Sequence, residues 1–481
     1  MTLRTSALAS THQGQSAQPL NRIWTPGTLR IFSWNINGIA PFLEDYQQKS
    51  IRGFLRPSPD SGKKRPRGSD GVDDVTSDSE NDELDISSTG TEDPATQGKA
   101  SLRLALRRYR WPHVLFLQEV KIKPGDTKTL ATVRAAVNHV SGSARVDHRG
   151  RRDVHNRGSE LKPENEKDCN TRLEDGGPEY DVWFNLPADP RNAKGFGGKL
   201  YGVAAIVRKD FMDRYVQSIR DVAWDREGRV QVIETREVSF PLILTTDPAT
   251  SASLVSHEGP NAEDPSSSAE PVTTTLAIIN IYAVNGTSND YYNTYTGAGA
   301  GTRHDRKLAV HMELLREAHA LQRRGFQLII AGDLNVARDE LDGHPDLRTY
   351  PHQHVLNRAD FNAKFFTKAS IRNTHSVAAY PHLQDDDVTA KKEDTIQGLD
   401  GIDTFRHLHG SERRYSYYPR NRPWGTSCDR VDLIIASRAL SGSIVAAGIC
   451  DNPRDRGPSD HCPVWAEIGR YSNSNGYESR V

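Results

Sequence analysis

Short apolar runs that stop at a polar residue recur along this chain, and they predict strands of a layered α/β domain. Leu29-Arg30-Ile31-Phe32-Ser33-Trp34 delivers Asn35 and Asn37, with Gly38 opening the next turn. Val114-Leu115-Phe116-Leu117 delivers Gln118 and Glu119. Ala277-Ile278-Ile279-Asn280-Ile281-Tyr282 leads to Tyr282 and Asn285, and Gln327-Leu328-Ile329-Ile330-Ala331 delivers Gly332, Asp333 and Asn335. Arg430-Val431-Asp432-Leu433-Ile434-Ile435 is led by its charged pair, and a last strand runs from Pro463 to Ile468. From about Asp305 to Arg324 the period changes to that of a helix, with Leu308, Met312, Leu315 and Leu321 on one face. A strand end is where a rigid sheet holds a side chain in a cleft, so these polar tips predict a shared site.

Between the runs lie stretches of low hydrophobicity, at about 57–98, 143–179, 245–272 and 381–400, rich in Ser, Pro, Gly, Asp and Lys. Such composition buries too little apolar surface to order itself. A chain of 481 residues has room for two or three domains, yet the polar tips run from Asn35 to His461 and must converge. The expectation is one domain, 28–469, with four insertions, behind a disordered segment 1–27 and ahead of a tail, 470–481. Without the insertions roughly 300 residues remain, ample for two packed sheets.

Charge changes the picture more than its total suggests. The formal net charge is −1, but residues 69–98 hold ten Asp and Glu and no Lys or Arg. Setting those ten aside leaves +9 on the remainder, which suits a polyanionic partner, and leaves the acidic insertion as a candidate contact for other proteins. Lys63-Lys64-Arg65-Pro66-Arg67 has the form of a nuclear import signal. Residues 1–30, with Arg4, Arg22, Arg30 and no acid, resemble a mitochondrial presequence, so nucleus and mitochondrion both stay open. No apolar run reaches the ~18 residues of a membrane span, and a soluble monomer is expected. Cys169, Cys428, Cys450 and Cys462 have neither zinc-site spacing nor the density of a disulfide framework, which points to a reducing compartment.

The polar tips have a chemistry in common. Hydrolysing a phosphodiester takes a divalent cation, a base for water and donors for the phosphoryl oxygens. Glu119, the Asp333/Asn335 pair, Asp432 and Asp460-His461 supply carboxylate and amide oxygens, hard ligands that suit Mg²⁺ or Mn²⁺, together with an imidazole. Each has a plain structural explanation when taken singly: a turn, a salt bridge, a helix cap. Their joint occurrence points to a metal-assisted nuclease.

Eight segments in order add a resemblance: Ser33-Trp34-Asn35-Ile36-Asn37-Gly38, Leu117-Gln118-Glu119, Asp225-Arg226-Glu227-Gly228-Arg229-Val230, Tyr282 with Asn285, Gly332-Asp333-Leu334-Asn335-Val336-Ala337, Asp403-Thr404-Phe405-Arg406-His407-Leu408, Arg430-Val431-Asp432 and Ser459-Asp460-His461-Cys462-Pro463. From about residue 28 to 469 the chain resembles the endonuclease/exonuclease/phosphatase superfamily, specifically its exonuclease III branch of abasic-site endonucleases. The Glu-Gly-Arg and Phe-Arg-His segments separate that branch from the phosphatase and sphingomyelinase branches.

The resemblance implies a DNase I-like, four-layered α/β sandwich of two mixed sheets flanked by helices. It implies that Glu119 binds the metal with Asn35, Asn37 and Asp460, while Asp333, Asn335 and His461 complete the candidate ligands. Asp333 would activate or position the attacking water or protonate the leaving oxygen, and Asn335 would hold it. His461, oriented and kept cationic by Asp432, would contact the phosphate with Tyr282 and Asn285. Arg229, Tyr417 and Trp424 are the further candidates for substrate contact. The implied reaction is incision of double-stranded DNA 5′ to an abasic site, leaving a 3′ hydroxyl and a 5′ deoxyribose phosphate. A 3′ phosphodiesterase or 3′ to 5′ exonuclease activity on blocked ends accompanies it.

Two segments depart from the branch. Cys428-Asp429 stands where an apolar or aromatic residue usually lines the sugar pocket, and Tyr415, Tyr417, Tyr418 and Trp424 are candidates for a substitute aromatic wall or for core packing. Asn289-Asp290-Tyr291-Tyr292 and Gly297-Ala298-Gly299-Ala300-Gly301 enlarge a segment that the branch uses as a DNA-wedging loop. Two other readings stay open: hydrolysis of another phosphoester (a protein-linked DNA end, an RNA or a phosphoinositide), and a catalytically quiet DNA-binding member.

Overall fold

The computed structural model describes residues 28–43, 100–138, 177–193, 201–242, 272–372 and 395–469. The terminal segments 1–27 and 470–481, the 57–98 insertion with its basic cluster, and most of the other three insertions lie outside the described residues. At the edge of the fourth, Thr395–Gln397 is a strand paired with Ser370–Arg372, and Leu399 beside it is buried. That insertion therefore ends sooner than its composition suggests.

Among the described residues, thirteen strands in two sheets carry the fold. In chain order they are β1 (Leu29–Asn35), β2 (Val114–Gln118), β3 (Tyr180–Asn185), β4 (Val203–Arg208), β5 (Val216–Asp221), β6 (Val230–Thr235) and β7 (Val238–Leu242). Then follow β8 (Val272–Tyr282), β9 (Phe326–Asp333), β10 (Ile402–Asp403), β11 (Asp432–Ala436), β12 (Ile444–Ile449) and β13 (Val464–Ile468). The first sheet runs β12-β13-β1-β2-β4-β3 and the second β10-β11-β9-β8-β6-β5, with β7 paired to β8. Both are mixed, because β1 with β2 and β8 with β9 are parallel while their other neighbours are antiparallel.

The strands read as continuous apolar runs because both faces are covered. Leu29, Ile31, Val114 and Phe116 of the first sheet face Ile278, Ile329, Ala331 and Ile434 of the second, forming the central layer of the core. Phe32, Trp34, Leu115 and Leu117 turn the other way, onto α1 (Leu102–Arg108) and α2 (Thr127–Ala136). Ala277, Ile279, Leu328 and Ile330 turn onto α4 (Arg303–Arg323) and α5 (Gln353–Phe366); α3 (Lys209–Tyr215) and α6 (Thr404–His409) are the shorter helices between strands. The result is the four-layered sandwich. Each fully buried Val, Leu or Ile contributes ~1.5–3 kcal/mol relative to exposure, so a one-residue slip of any central strand would be costly.

Two details fix where the strands end. Gln118 donates to Asn280 Oδ1 (2.8 Å) and Ser33 Oγ (3.0 Å), and Asn280 donates to Ala204 O (3.0 Å), a buried polar tie between the sheets. In register, Asn35 lies beside Gln118, and Asp333 lies between Tyr282 and Asp432. α4 begins at Arg303, ahead of the first apolar position, because Thr302 and Asp305 form a capping box.

Candidate active site

Four strand ends open into one cleft of about 230 Å³, whose lining includes Glu119, Tyr282, Asp333, Asn335, Asp460 and His461. The chain leaves three of these strands through left-handed residues, Asn37 (φ 51°), Glu119 (φ 51°) and Asn335 (φ 53°). Asn adopts that conformation readily, while for Glu it costs roughly 1 kcal/mol or more. The turn swings each side chain back over the sheet edge.

The centre is a chain of short polar contacts. His461 Nδ1 lies 2.7 Å from Asp432 Oδ2, and its Nε2 lies 3.9 Å from Asp333 Oδ2. The Asn35 amide donates to Asp333 Oδ2 (3.0 Å) and to Glu119 Oε1 (3.1 Å), tying the two carboxylates together. Asn335 N donates to Asp333 Oδ1 (2.9 Å), its side chain to Ala283 O (2.9 Å), and Tyr282 Oη donates to Glu119 Oε1 (2.6 Å). His461 is held from behind: Ser459 Oγ donates to Asn35 O (2.6 Å) and accepts from His461 N (3.0 Å), while Trp34 Nε1 donates to His461 O (2.9 Å).

This crowding of charge shifts the groups in opposite directions. Burial and the adjacent Asp432 carboxylate push Asp333 well above the ordinary carboxylate range, against the pull of His461. Burial disfavours the His461 imidazolium, but Asp432 and Asp333 outweigh it and raise the pKa well above its usual value, so the ring is a cation near neutrality. Burial, then the Glu119 carboxylate, raise the Tyr282 phenol, which stays a donor. Glu119 is opposed by burial yet held below its ordinary value by the Lys121 ammonium, Tyr282 and Asn35.

A hard divalent cation suits these donors. The Lys121 ammonium touches Asn37 Oδ1 and Glu119 Oε2, so those oxygens already face a common position for positive charge; Asp460 stands beside Asn37, while Asn35 turns its Nδ2 to Glu119 and its Oδ1 accepts from Asn37 N. Among the described residues Asp333, Asp432 and His461 also form a close group, with ligand atoms within 4.8 Å of one another, and Asp432 Oδ1 is buried without a hydrogen-bond partner.

Residues 32–461 match the Endonuclease/Exonuclease/phosphatase family. The chain belongs to that family. No curated protein matches it. Similar solved structures include the catalytic domain of Xenopus laevis APE2 (15% identity, covering 92% of this chain and 94% of that one, TM-score 0.45). The AP endonuclease LMAP from Leishmania major is another (13% identity, 93% and 90%, TM-score 0.45), as is the 3′ phosphatase NExo from Neisseria bound to product DNA hairpin (12% identity, 92% and 100%, TM-score 0.39).

Two of the candidates for substrate contact, Arg229 and Trp424, do not line the cleft. Arg229 is buried, paired with Glu227 (2.9 Å) and lying over the rings of Tyr201 (3.8 Å) and Tyr282 (4.7 Å), so it supports Tyr282 from beneath the cleft. Its Glu-Gly-Arg segment is structural: Asp225 accepts from the backbone of Glu227, Arg229 and Val230, and Glu227 also binds Arg303 and Arg306 of α4. Trp424 lies flat on buried Tyr418 (3.7 Å between centroids) and is not part of the cleft lining. Of the candidate aromatics only Tyr417 lines the cleft, its ring 4.9 Å from that of His461, and Asn285 lines it too. Asn37 and Asp460 meet each other at 3.1 Å.

The Arg430-x-Asp432 pair divides its work. Asp432 goes to His461, whereas Arg430 binds buried Asp342 and Asp403, and Arg406 of the Phe-Arg-His segment joins it on Asp342. The strand consequently begins at Asp432 and not at Arg430. The enlarged segment folds as a hairpin, Asp290–Tyr292 against Gly299–Thr302, with Tyr291 buried against Arg303 and Arg306, and Tyr292 and Tyr295 exposed.

Several cleft groups carry no sequence signal that singles them out. Lys121 follows Glu119 by two residues, a placement visible only once Glu119 is known to matter. Lys307 reaches the cleft from α4 and donates to Asn335 O (2.7 Å), with its ammonium lowered to about 7 by burial. Asp429 lines the wall as the sequence anticipated, its carboxyl raised by burial despite Arg348 and Arg358.

Proposed function

We propose that this chain is a metal-dependent DNA phosphodiester hydrolase of base excision repair, incising 5′ to abasic sites and trimming blocked 3′ ends. The observation that carries the reading is the aligned Asp432, His461 and Asp333, with Glu119 joined to Asp333 through Asn35 in the same cleft. Membership of the family gives the reaction class. The Asp225–Val230 and Asp403–Leu408 segments, by their resemblance to the exonuclease III branch, give the abasic-site preference.

Asp333, with a pKa lifted toward neutrality, takes a proton from the attacking water; Asn335, Asn35 and the Asn335 backbone N–H keep its oxygens aimed. His461, cationic and fixed by Asp432, donates from Nε2 to a phosphoryl oxygen and favours the extra charge of the transition state. Tyr282 holds Glu119 in place, and Asn285 and Tyr417 border the bound strand. Water oxygen bonds to phosphorus as the bond to the 3′ oxygen breaks, and the departing oxygen takes a proton from solvent, leaving a 3′ hydroxyl and a 5′ phosphate. Glu119, with Asn37 and Asp460 beside it and Asn35 orienting its carboxylate, would hold Mg²⁺ or Mn²⁺, which would supply Lewis-acid neutralisation of phosphate charge. The nucleus is our proposed compartment, with the mitochondrion as the alternative.

Asp429 favours a second reading, the same hydrolysis on another phosphoester, since an acid lines the cleft where the exonuclease III branch usually sets an apolar or aromatic residue against the sugar. An end-labelled duplex with one abasic-site analogue, tested beside the intact duplex with Mg²⁺ and with EDTA, separates the two. Metal-dependent cutting only 5′ to the lesion is expected. Shortening of both duplexes from their 3′ ends would make the protein chiefly an exonuclease, and no cutting of either would favour the other phosphoesters.

A further inference from the structure

One wall of the cleft is more basic than the hydrolysis requires. Lys307 from α4, His354 and Arg358 from α5, and Arg348 from the segment before α5 all line it, and Asp429 is the acid set among them. Arg358 is anchored: its Nε donates to Ala337 O (2.7 Å) and one Nη to Arg348 O (2.6 Å), so it fastens the Arg348 segment to the exit of β9. Arg348 itself is exposed at the cleft, and no hydrogen bond or ion pair of its side chain is present among the described residues. Lys307 spends one of its three donors on Asn335 O. The wall thus holds two guanidinium groups and the partly titrated Lys307 amine against one carboxylate, adjoining the catalytic groups. Unpaired cations gathered in a concave site raise the local concentration of anions.

We infer that this wall is a second phosphate subsite, which holds a phosphate next to the scissile one on the same strand. The inference rests on the nucleic-acid reading above and adds to it that two consecutive phosphates are gripped, one at His461 and one at Arg348, with Arg358 as the positioning residue. His354 registers the same field: burial and the surrounding Arg348, Lys307, His304 and Arg358 hold its imidazole down at about 4, leaving it neutral and able to accept or donate. Arg348 and Arg358 lie near enough to Asp429 for both to favour its ionised form against burial.

The test uses the full chain in EDTA, where cleavage is prevented, and three duplexes with one abasic-site analogue. One is all-phosphate; in the others a neutral methylphosphonate replaces the phosphate on the 5′ or on the 3′ side of the scissile one. Fluorescence anisotropy should show one of the two neutral linkages weakening binding about tenfold or more, as expected for loss of a charge-assisted contact. Arg348→Glu, at an exposed position where folding is not at risk, should weaken binding to the all-phosphate duplex and remove the difference between duplexes. Equal affinity for all three, or a difference that persists unchanged in Arg348→Glu, overturns the subsite while the DNA reading stands. No binding to any duplex removes both.

Discussion

At the scale of single residues, the site is a set of opposed protonation preferences. Asp333 is pushed toward its neutral form and His461 toward its cation by the same cluster of carboxylates. Asp333→Ala or His461→Ala should therefore lower turnover by about 10²–10⁴-fold while DNA binding in anisotropy changes little. Loss of both together would indicate a damaged fold. Glu119→Ala should shift the Mg²⁺ dependence to higher concentration and be partly rescued there; an unshifted metal titration would argue against its ligand role. Asn35, Glu119, Asp333, Asp432 and His461 were legible in the sequence because each ends or leads an apolar run, where a side chain must project from the sheet edge. Lys121, Lys307 and Arg348 were not, since a lysine or arginine on a polar segment looks the same whether it faces a cleft or solvent. Arg229 was legible as important but not as buried, because its partner Glu227 and the rings it supports come together only through the fold.

The elements hold the site by register. Asp333 sits between Tyr282 and Asp432 only because β9 packs parallel to β8 on one side and antiparallel to β11 on the other. Gly332, one residue earlier, permits this spacing: a Cβ there would lie 1.8 Å from Ile281 O. Gly332→Ala should cost about 3 kcal/mol or more, read as a lower urea midpoint, and an unchanged midpoint would show that β8 and β9 can separate without harm. The central strands were readable as long apolar runs, and α4 as a helical period. Strands β3 to β7 were not assigned, because a run of five or six residues is the same evidence for a strand or a buried helix, and the neighbour that decides is distant in sequence. Start points shifted where a side chain had a prior claim, as Arg430 does on Asp342 and Asp403.

Across the whole molecule, two buried ion networks brace the sandwich: Glu227 with Arg229, Arg303 and Arg306, and Asp342 and Asp403 with Arg338, Arg406 and Arg430. Burial opposes ionisation, yet the arginines hold Glu227 and Asp403 each down to about 2. Both folded values lie below the unfolded ones near 4, so their stabilising effect is complete above about pH 4 and is lost as pH falls through about 2. Each contributes about 2–3 kcal/mol on that account. Urea midpoints should drop between pH 6 and pH 3, and Glu227→Ala should lose about 3–5 kcal/mol at pH 6 by stranding three guanidinium groups; a midpoint indifferent to both changes would contradict this bracing. The sheet order has a further consequence, for biosynthesis. β1 lies between β2 and β13, and Ser459, two residues before His461, fastens onto Asn35. A nascent chain interrupted before Ser459 lacks β13, leaves β1 as an open edge and has no His461, so a truncated product is disposed to aggregate and its site is incomplete. Synthesis itself thereby withholds a complete site until nearly all of the domain has been made.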